Sequence, residues 1–219
     1  MKVMASNGSP RKNGNTATLL NKALEGASSQ GAETELINLY DLNYKGCMSC
    51  FSCRLKEGKS YGKCAVQDEL APIFERVTKA DALMFGSPVY SGTATAEIRA
   101  FLERLIYPLF NAVEMSTLFK KRIPTGFIYT MNVNAEQLKE FGYEQSFANT
   151  ENALKLIFGT AESILVTDTC QFDDYSKYDI APFIDPEQKI KRHNEEFPKE
   201  CRKAFDMGAK FARQTDLLG

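Results

Sequence analysis

Apolar and polar positions alternate between two periods along this chain, and the alternation predicts its elements. Val3 to Ser6 is a short apolar run that ends at Asn7-Gly8, which predicts a first strand. Beyond a glycine loop, Leu20, Ala23, Leu24 and Ala27 recur at i, i+3, i+4 and i+7, the spacing of one helical face. A turn containing Gly31 leads to a second strand near Glu35 to Leu39. A cysteine-bearing segment then interrupts the pattern until Leu70, Ile73, Phe74 and Val77 restore helical spacing. Ala82 to Phe85 predicts a third strand, apolar on both faces as a central parallel strand should be. The loop Gly86 to Gly92 follows, and Ile98, Phe101, Leu102 and Leu105 line the next helix. Gly126 to Thr130 predicts a fourth strand, Leu154 to Phe158 part of a fourth helix and Ser163 to Thr167 a fifth strand, with a closing helix inside His193 to Arg213.

Strands alternating with helices imply an α/β fold in which a parallel sheet is covered on both faces. The expected arrangement is a doubly wound five-stranded parallel sheet in the order 2-1-3-4-5. Such a sheet binds ligands beyond the carboxyl ends of its strands, between strands one and three, where the winding reverses. The two Gly-Ser-Pro segments, Gly8-Ser9-Pro10 and Gly86-Ser87-Pro88, follow those two strands.

The loop Gly8-Ser9-Pro10-Arg11-Lys12-Asn13-Gly14-Asn15-Thr16 leads straight into the first helix. A helix N-terminus offers unpaired N–H groups and a partial positive charge, so it favours an anion. Hydroxyls of Ser9 and Thr16, amides of Asn13 and Asn15 and the Arg11 guanidinium add donors suited to a monophosphate. Neither G-x-x-x-x-G-K-[ST] nor G-x-G-x-x-G is present, which disfavours ATP and tightly held NAD. The second loop, Pro88, Val89, Tyr90, Ser91 and Gly92, suits the edge of a planar heterocycle.

With 219 residues, 43% of them hydrophobic, the chain can build one substantial core, and one domain over residues 1–219 is expected. The net charge of -1 suggests neither nucleic acid nor an anionic membrane surface, leaving small molecules as the expected partners. The apolar run after Lys2 is too short for a signal-peptide core, so a cytoplasmic protein is expected. Six cysteines, four in one cluster plus Cys170 and Cys201, are not spaced as in a secreted disulfide scaffold. Cys170 and Cys201 read as small apolar residues. His193, the only histidine, sits in a charged run and reads as a solvated helix residue, so no catalytic side chain is assigned.

Cys47, Cys50 and Cys53 have the C-x2-C-x2-C spacing that can wrap three thiolates around a face of an iron–sulfur cube, with Cys64 as a fourth ligand. Zinc and free thiols remain open beside the cluster. The segment follows the second strand, so it is expected to emerge on the ligand side of the sheet, next to the first loop.

The phosphate loop, these cysteines and Gly86-Ser87-Pro88-Val89-Tyr90, in this order, resemble the NAD(P)H-dependent FMN reductase family with a flavodoxin-like fold, particularly its iron–sulfur flavoprotein branch. The resemblance runs from Met1 to about Met131. It implies FMN, with phosphate held by Ser9, Arg11, Asn13, Asn15 and Thr16, and the isoalloxazine edge by Pro88 to Gly92 with Thr130 and Met131. NAD(P)H is the implied electron donor and a [4Fe–4S] cluster on Cys47, Cys50, Cys53 and Cys64 an implied second group; the resemblance also places the flavin near a subunit boundary, and a homodimer or dimer-based tetramer is expected. One departure concerns the fourth cysteine, which the family's cluster-binding members place closer; here residues 54–63 intervene.

An FMN-dependent oxidoreductase serving a small acceptor such as a flavin, quinone or iron compound is thus one expectation, and an electron-transfer module for redox proteins is the other. Flavodoxin-type carriers are strongly acidic, and the near-neutral balance favours the enzyme. A phosphatase on a similar fold would need Cys-x5-Arg after the first strand, which is missing. Asn132 to Thr150, rich in Phe, Tyr, Asn and Gln, reads as too long for a plain connection and suggests a subunit contact.

Overall fold

A computed structural model describes residues 1–182 and 184–214. Its main sheet runs through β1 (Lys2–Asn7), β2 (Glu33–Asn38), β3 (Ala82–Tyr90), β4 (Ile123–Thr130) and β5 (Gly159–Val166). All are parallel, in the order β2-β1-β3-β4-β5. Helices α1 (Asn15–Ser28), α2 (Ala71–Val77), α3 (Ala96–Leu109), α4 (Ala135–Glu140), α5 (Tyr143–Phe158) and α6 (Pro186–Gln214) complete the chain.

The period-two alternation of the strands splits the core into two layers. Met4, Leu83, Phe85, Phe127 and Tyr129 face α3 and α5, whereas Val3, Ala5, Ala82, Met84 and Ile128 face α1 and α6. On the second face α1 and α6 meet backbone to backbone. A Cβ on Gly26 would lie 2.0 Å from the Phe205 carbonyl oxygen, and one on Gly208 would lie 1.8 Å from that of Ala23, so only glycine allows this approach.

Several expectations change. Gly86 to Tyr90 is not a loop: β3 continues through it, turns at Ser91 and Gly92 with φ of 50° and 79°, and returns as Thr93–Ala94 paired to Val89 and Tyr90. Helical spacing and apolar runs mark buried faces only, so polar β3 residues paired by backbone hydrogen bonds escaped them. Asn132 to Thr150 holds α4 and the start of α5, with Leu138 and Phe147 buried in the chain's own core. That segment therefore supplies no separate argument for a subunit contact. The closing helix begins earlier than expected, at Pro186, because its charged first half gives no clear apolar stripe.

Candidate functional site

The carboxyl ends of the strands open into a cavity of about 1150 Å³ at the switch point between β1 and β3. The first loop forms its floor. Asn7, fully buried, accepts the Ser9 N–H on its Oδ1 (3.0 Å), and Ser9 Oγ accepts the Arg11 N–H (3.1 Å), which fixes the bend after β1. The Thr95 hydroxyl donates to the Gly8 carbonyl (2.7 Å), tying the loop to the start of α3. The cap of α1 is Gly14, which has no side chain to cap the helix, and its first turn carries no acidic residue. Unpaired N–H groups and a positive helix end therefore face the cavity without an internal anion. Ser9, Arg11, Asn13, Asn15 and Thr16 all line this space, as do Lys12 and Gly14.

Pro88, Val89 and Tyr90 form a second wall, with Tyr90 half exposed. Ser91 and Gly92 are turned away into the hairpin; a Cβ on Gly92 would meet the Tyr143 ring at 2.9 Å. Thr130 and Met131 line the cavity at the end of β4, but the Met131 N–H is already donated to Val166 O (2.9 Å). Next to them Asn132 carries a buried Oδ1 without a hydrogen-bond partner among the described residues, an acceptor that a ring N–H would satisfy.

A third wall gave no motif signal. After β5 the chain folds over the loop: Arg11 donates to Gln171 O (2.6 Å) with its guanidinium 5.9 Å from the Phe172 ring centre, and Asn15 donates to Cys170 O (2.9 Å). Phe172 stacks on Tyr178, with ring centres 3.9 Å apart. Cys170 is thus part of the cavity wall rather than only a small apolar filler. The first half of α6 closes the space with Ile190, His193 and Phe197. His193 is not simply solvated: it is half-buried and stacks on Phe197 (4.7 Å), because α6 turns that side of its charged run toward the cavity. Lys189, 5% exposed, anchors this half by donating to Asn132 O (2.7 Å) and to Asp168.

Cys47, Cys50, Cys53 and Cys64 line one separate apolar cavity of about 260 Å³. Its α3 wall is Glu103, Arg104, Tyr107 and Pro108, from the second half of that helix. No residue lines both cavities, and the segment after β2 runs along α3, where Tyr44 donates to Glu97 O (2.8 Å) and the Cys47 N–H to Glu103 (3.1 Å). Left-handed turns at Ser49 (φ 53°) and Phe51 (φ 55°) wrap the backbone around the space. The Ser52 N–H lowers the Cys50 thiol pKa, and burial raises that of Cys53. No three His, Cys, Asp or Glu side chains among the described residues are grouped as for one metal ion. Four thiols around one apolar space fit a polynuclear cluster, whose ligands attach to separate iron corners.

Among the described residues no helix is long and apolar enough to cross a membrane. The sequence profile of NADPH-dependent FMN reductase matches residues 1–131. An iron–sulfur flavoprotein of Methanocaldococcus jannaschii is 38% identical over 104 residues, 48% of this chain and 51% of that protein. One of Methanosarcina thermophila is 30% identical over 106 residues, 48% of this chain and 53% of that protein. The chain therefore spans about half the length of the curated relatives it matches. A solved NAD(P)H:quinone oxidoreductase from Methanothermobacter marburgensis has a TM-score of 0.70 at 17% identity, covering 95% of this chain and 96% of its own, which shows the shared fold. A solved archaeal flavodoxin covers 99% of this chain with a TM-score of 0.50. With the profile matching more than half of its length, the chain belongs to the NADPH-dependent FMN reductase family.

Proposed function

We propose that this chain is an FMN-dependent oxidoreductase that accepts hydride from NAD(P)H and passes electrons to a small acceptor such as a flavin, a quinone or an iron compound. The observation that supports it is the uncapped α1 N-terminus opening into the same cavity as β3 residues 88–90 and the orphaned Asn132 Oδ1. Ser9, Arg11, Asn13, Asn15 and Thr16 would hold the phosphate, and Pro88 to Tyr90 with Thr130, Met131 and Asn132 the ring edge. One terminal phosphate suits this loop better than a pyrophosphate, so FMN rather than FAD is the proposed flavin. When bound, FMN supplies the hydride chemistry, and the protein supplies position and shielding. The cavity exceeds the ~300–1,000 Å³ of a usual single-ligand pocket, leaving room for a second flat molecule against Phe172 and Phe197.

The test is anaerobic: FMN-loaded protein is mixed with NADH or NADPH and the flavin absorbance followed. Rapid bleaching by either supports the enzyme. Tight FMN binding without bleaching by both points to an electron-transfer module, and no FMN binding removes the proposal.

The four-thiol cavity favours a second cofactor, a [4Fe–4S] cluster on Cys47, Cys50, Cys53 and Cys64. Anaerobic reconstitution followed by iron and sulfide assays tests it, with Cys50→Ser expected to lose the iron and keep the flavin. No iron uptake by the unaltered chain would remove this reading.

A further inference from the structure

Ten residues, 54–63, separate the third and fourth thiols, and closing so long a loop costs conformational entropy that the C-x2-C-x2-C part does not. The Gly62 N–H, donated to the Cys53 carbonyl (3.1 Å), folds the insertion back on itself, but it leaves the Cys64 side chain to be placed by its surroundings. Among the described residues, Arg104 donates a side-chain hydrogen bond to the Cys64 sulfur. Arg104 on α3 is 3% exposed and directs its guanidinium into the base of the cysteine segment. Its Nε donates to Cys64 Sγ (3.3 Å). One terminal nitrogen donates to the Lys45 carbonyl (3.0 Å) and to Asp68 Oδ2 (2.5 Å), and the other to Asp68 Oδ1 (2.9 Å) and the Val66 carbonyl (3.5 Å). Lys45 lies just before the first thiol and Val66 just after the last, so one rigid fork joins the two ends of the entire four-cysteine segment.

We infer that Arg104 is the positioning residue of this site: it holds Cys64 across the long insertion in reach of the space shared with Cys47, Cys50 and Cys53, and donates a hydrogen bond to the sulfur that would carry the fourth iron. This rests on the proposed iron–sulfur reading. A lysine, with one compact charge, retains a pairing with Asp68 but cannot span Lys45, Val66 and Cys64 together. Hydrogen bonds to cluster sulfurs are one determinant of reduction potential, so Arg104 also bears on the potential of a cluster held there.

The experiment compares the unaltered chain, Arg104→Lys, and the pair Arg104→Met with Asp68→Asn, which avoids leaving a carboxylate without its cation. Each is reconstituted anaerobically and assayed for iron, titrated for its midpoint potential, and, without iron, followed by amide hydrogen exchange. The paired variant is expected to lose most of its iron and to exchange residues 45–66 at least about tenfold faster, with α1 and α6 still protected. Arg104→Lys is expected to keep part of the iron at a more negative potential. Unchanged iron and unchanged loop exchange in the paired variant overturn the inference. If that variant also loses protection in α1 and α6, Arg104→Lys decides, and full iron at the original potential overturns it. Should the unaltered chain take up no iron, the cluster reading fails by itself, while exchange over 45–66 still decides whether Arg104 holds the loop.

Discussion

The hydroxyl oxygens of Thr16 and Thr130 lie 2.8 Å apart, so a buried hydrogen bond joins the first turn of α1 to the carboxyl end of β4. Two parts of the proposed flavin site are thereby held in register before any ligand arrives. Thr16→Val or Thr130→Val alone leaves the other hydroxyl without this partner and is expected to cost about 1–3 kcal/mol each, whereas the double substitution should cost less than the sum. Urea unfolding of the four proteins measures it; strict additivity would mean that the two groups act independently.

Arg11 and Asn15 each join the first loop to the segment after β5 through Gln171 O and Cys170 O. Replacing both by Ala should weaken FMN binding by roughly 2–4 kcal/mol, about 30- to 1000-fold, through lost phosphate contacts and a loosened wall. Flavin fluorescence titration reads the affinity, and an unchanged value would rule out this loop as the phosphate site.

Gly208→Ala should be among the most damaging small substitutions in the chain. Its methyl would sit 1.8 Å from the Ala23 carbonyl oxygen, and an overpacked helix contact costs about 1–3 kcal/mol or more. A drop in Tm of at least several degrees is expected by calorimetry, and Tm within 1 °C of the original, by about the usual size scaling, would contradict the backbone contact.

Hydrogen bonds from Arg104 hold the Asp68 carboxyl below its usual range. The folded-state value is the lower one, so this contribution is complete above the unfolded value of about 3.9 and is lost as pH falls through the folded value. Asp68→Asn should therefore be less stable than the unaltered chain at pH 7 and approach it in strong acid. Parallel stability curves across the whole range would show that Asp68 does not titrate with folding.

Strand order and the first loop were legible because both rest on local signals: alternation in residues such as Val3 and Ala82, and turn chemistry at Asn7-Gly8 and Gly14. The third wall was not. Phe172, Tyr178, His193 and Phe197 have no shared spacing, and they meet only because the segment after β5 and the start of α6 fold back over α1. One general signal was available, since every loop after a parallel strand lies on the ligand side, and aromatics after the fifth strand deserved notice for that reason. The Cys64 position was harder still, because its partner Arg104 lies forty residues away on a helix whose apolar stripe hides a buried cation.

The glycine seam between α1 and α6 also decides where the site can open. With Gly26 and Gly208 bringing main chain against main chain, no rotamer can take up slack, and the two helices must travel as one beam. A molecule anchored at the head of α1 and one leaning on Phe197 are then borne by the same rigid member. The β3 hairpin, which neither helix carries, is the wall of the cavity that stands apart from that member.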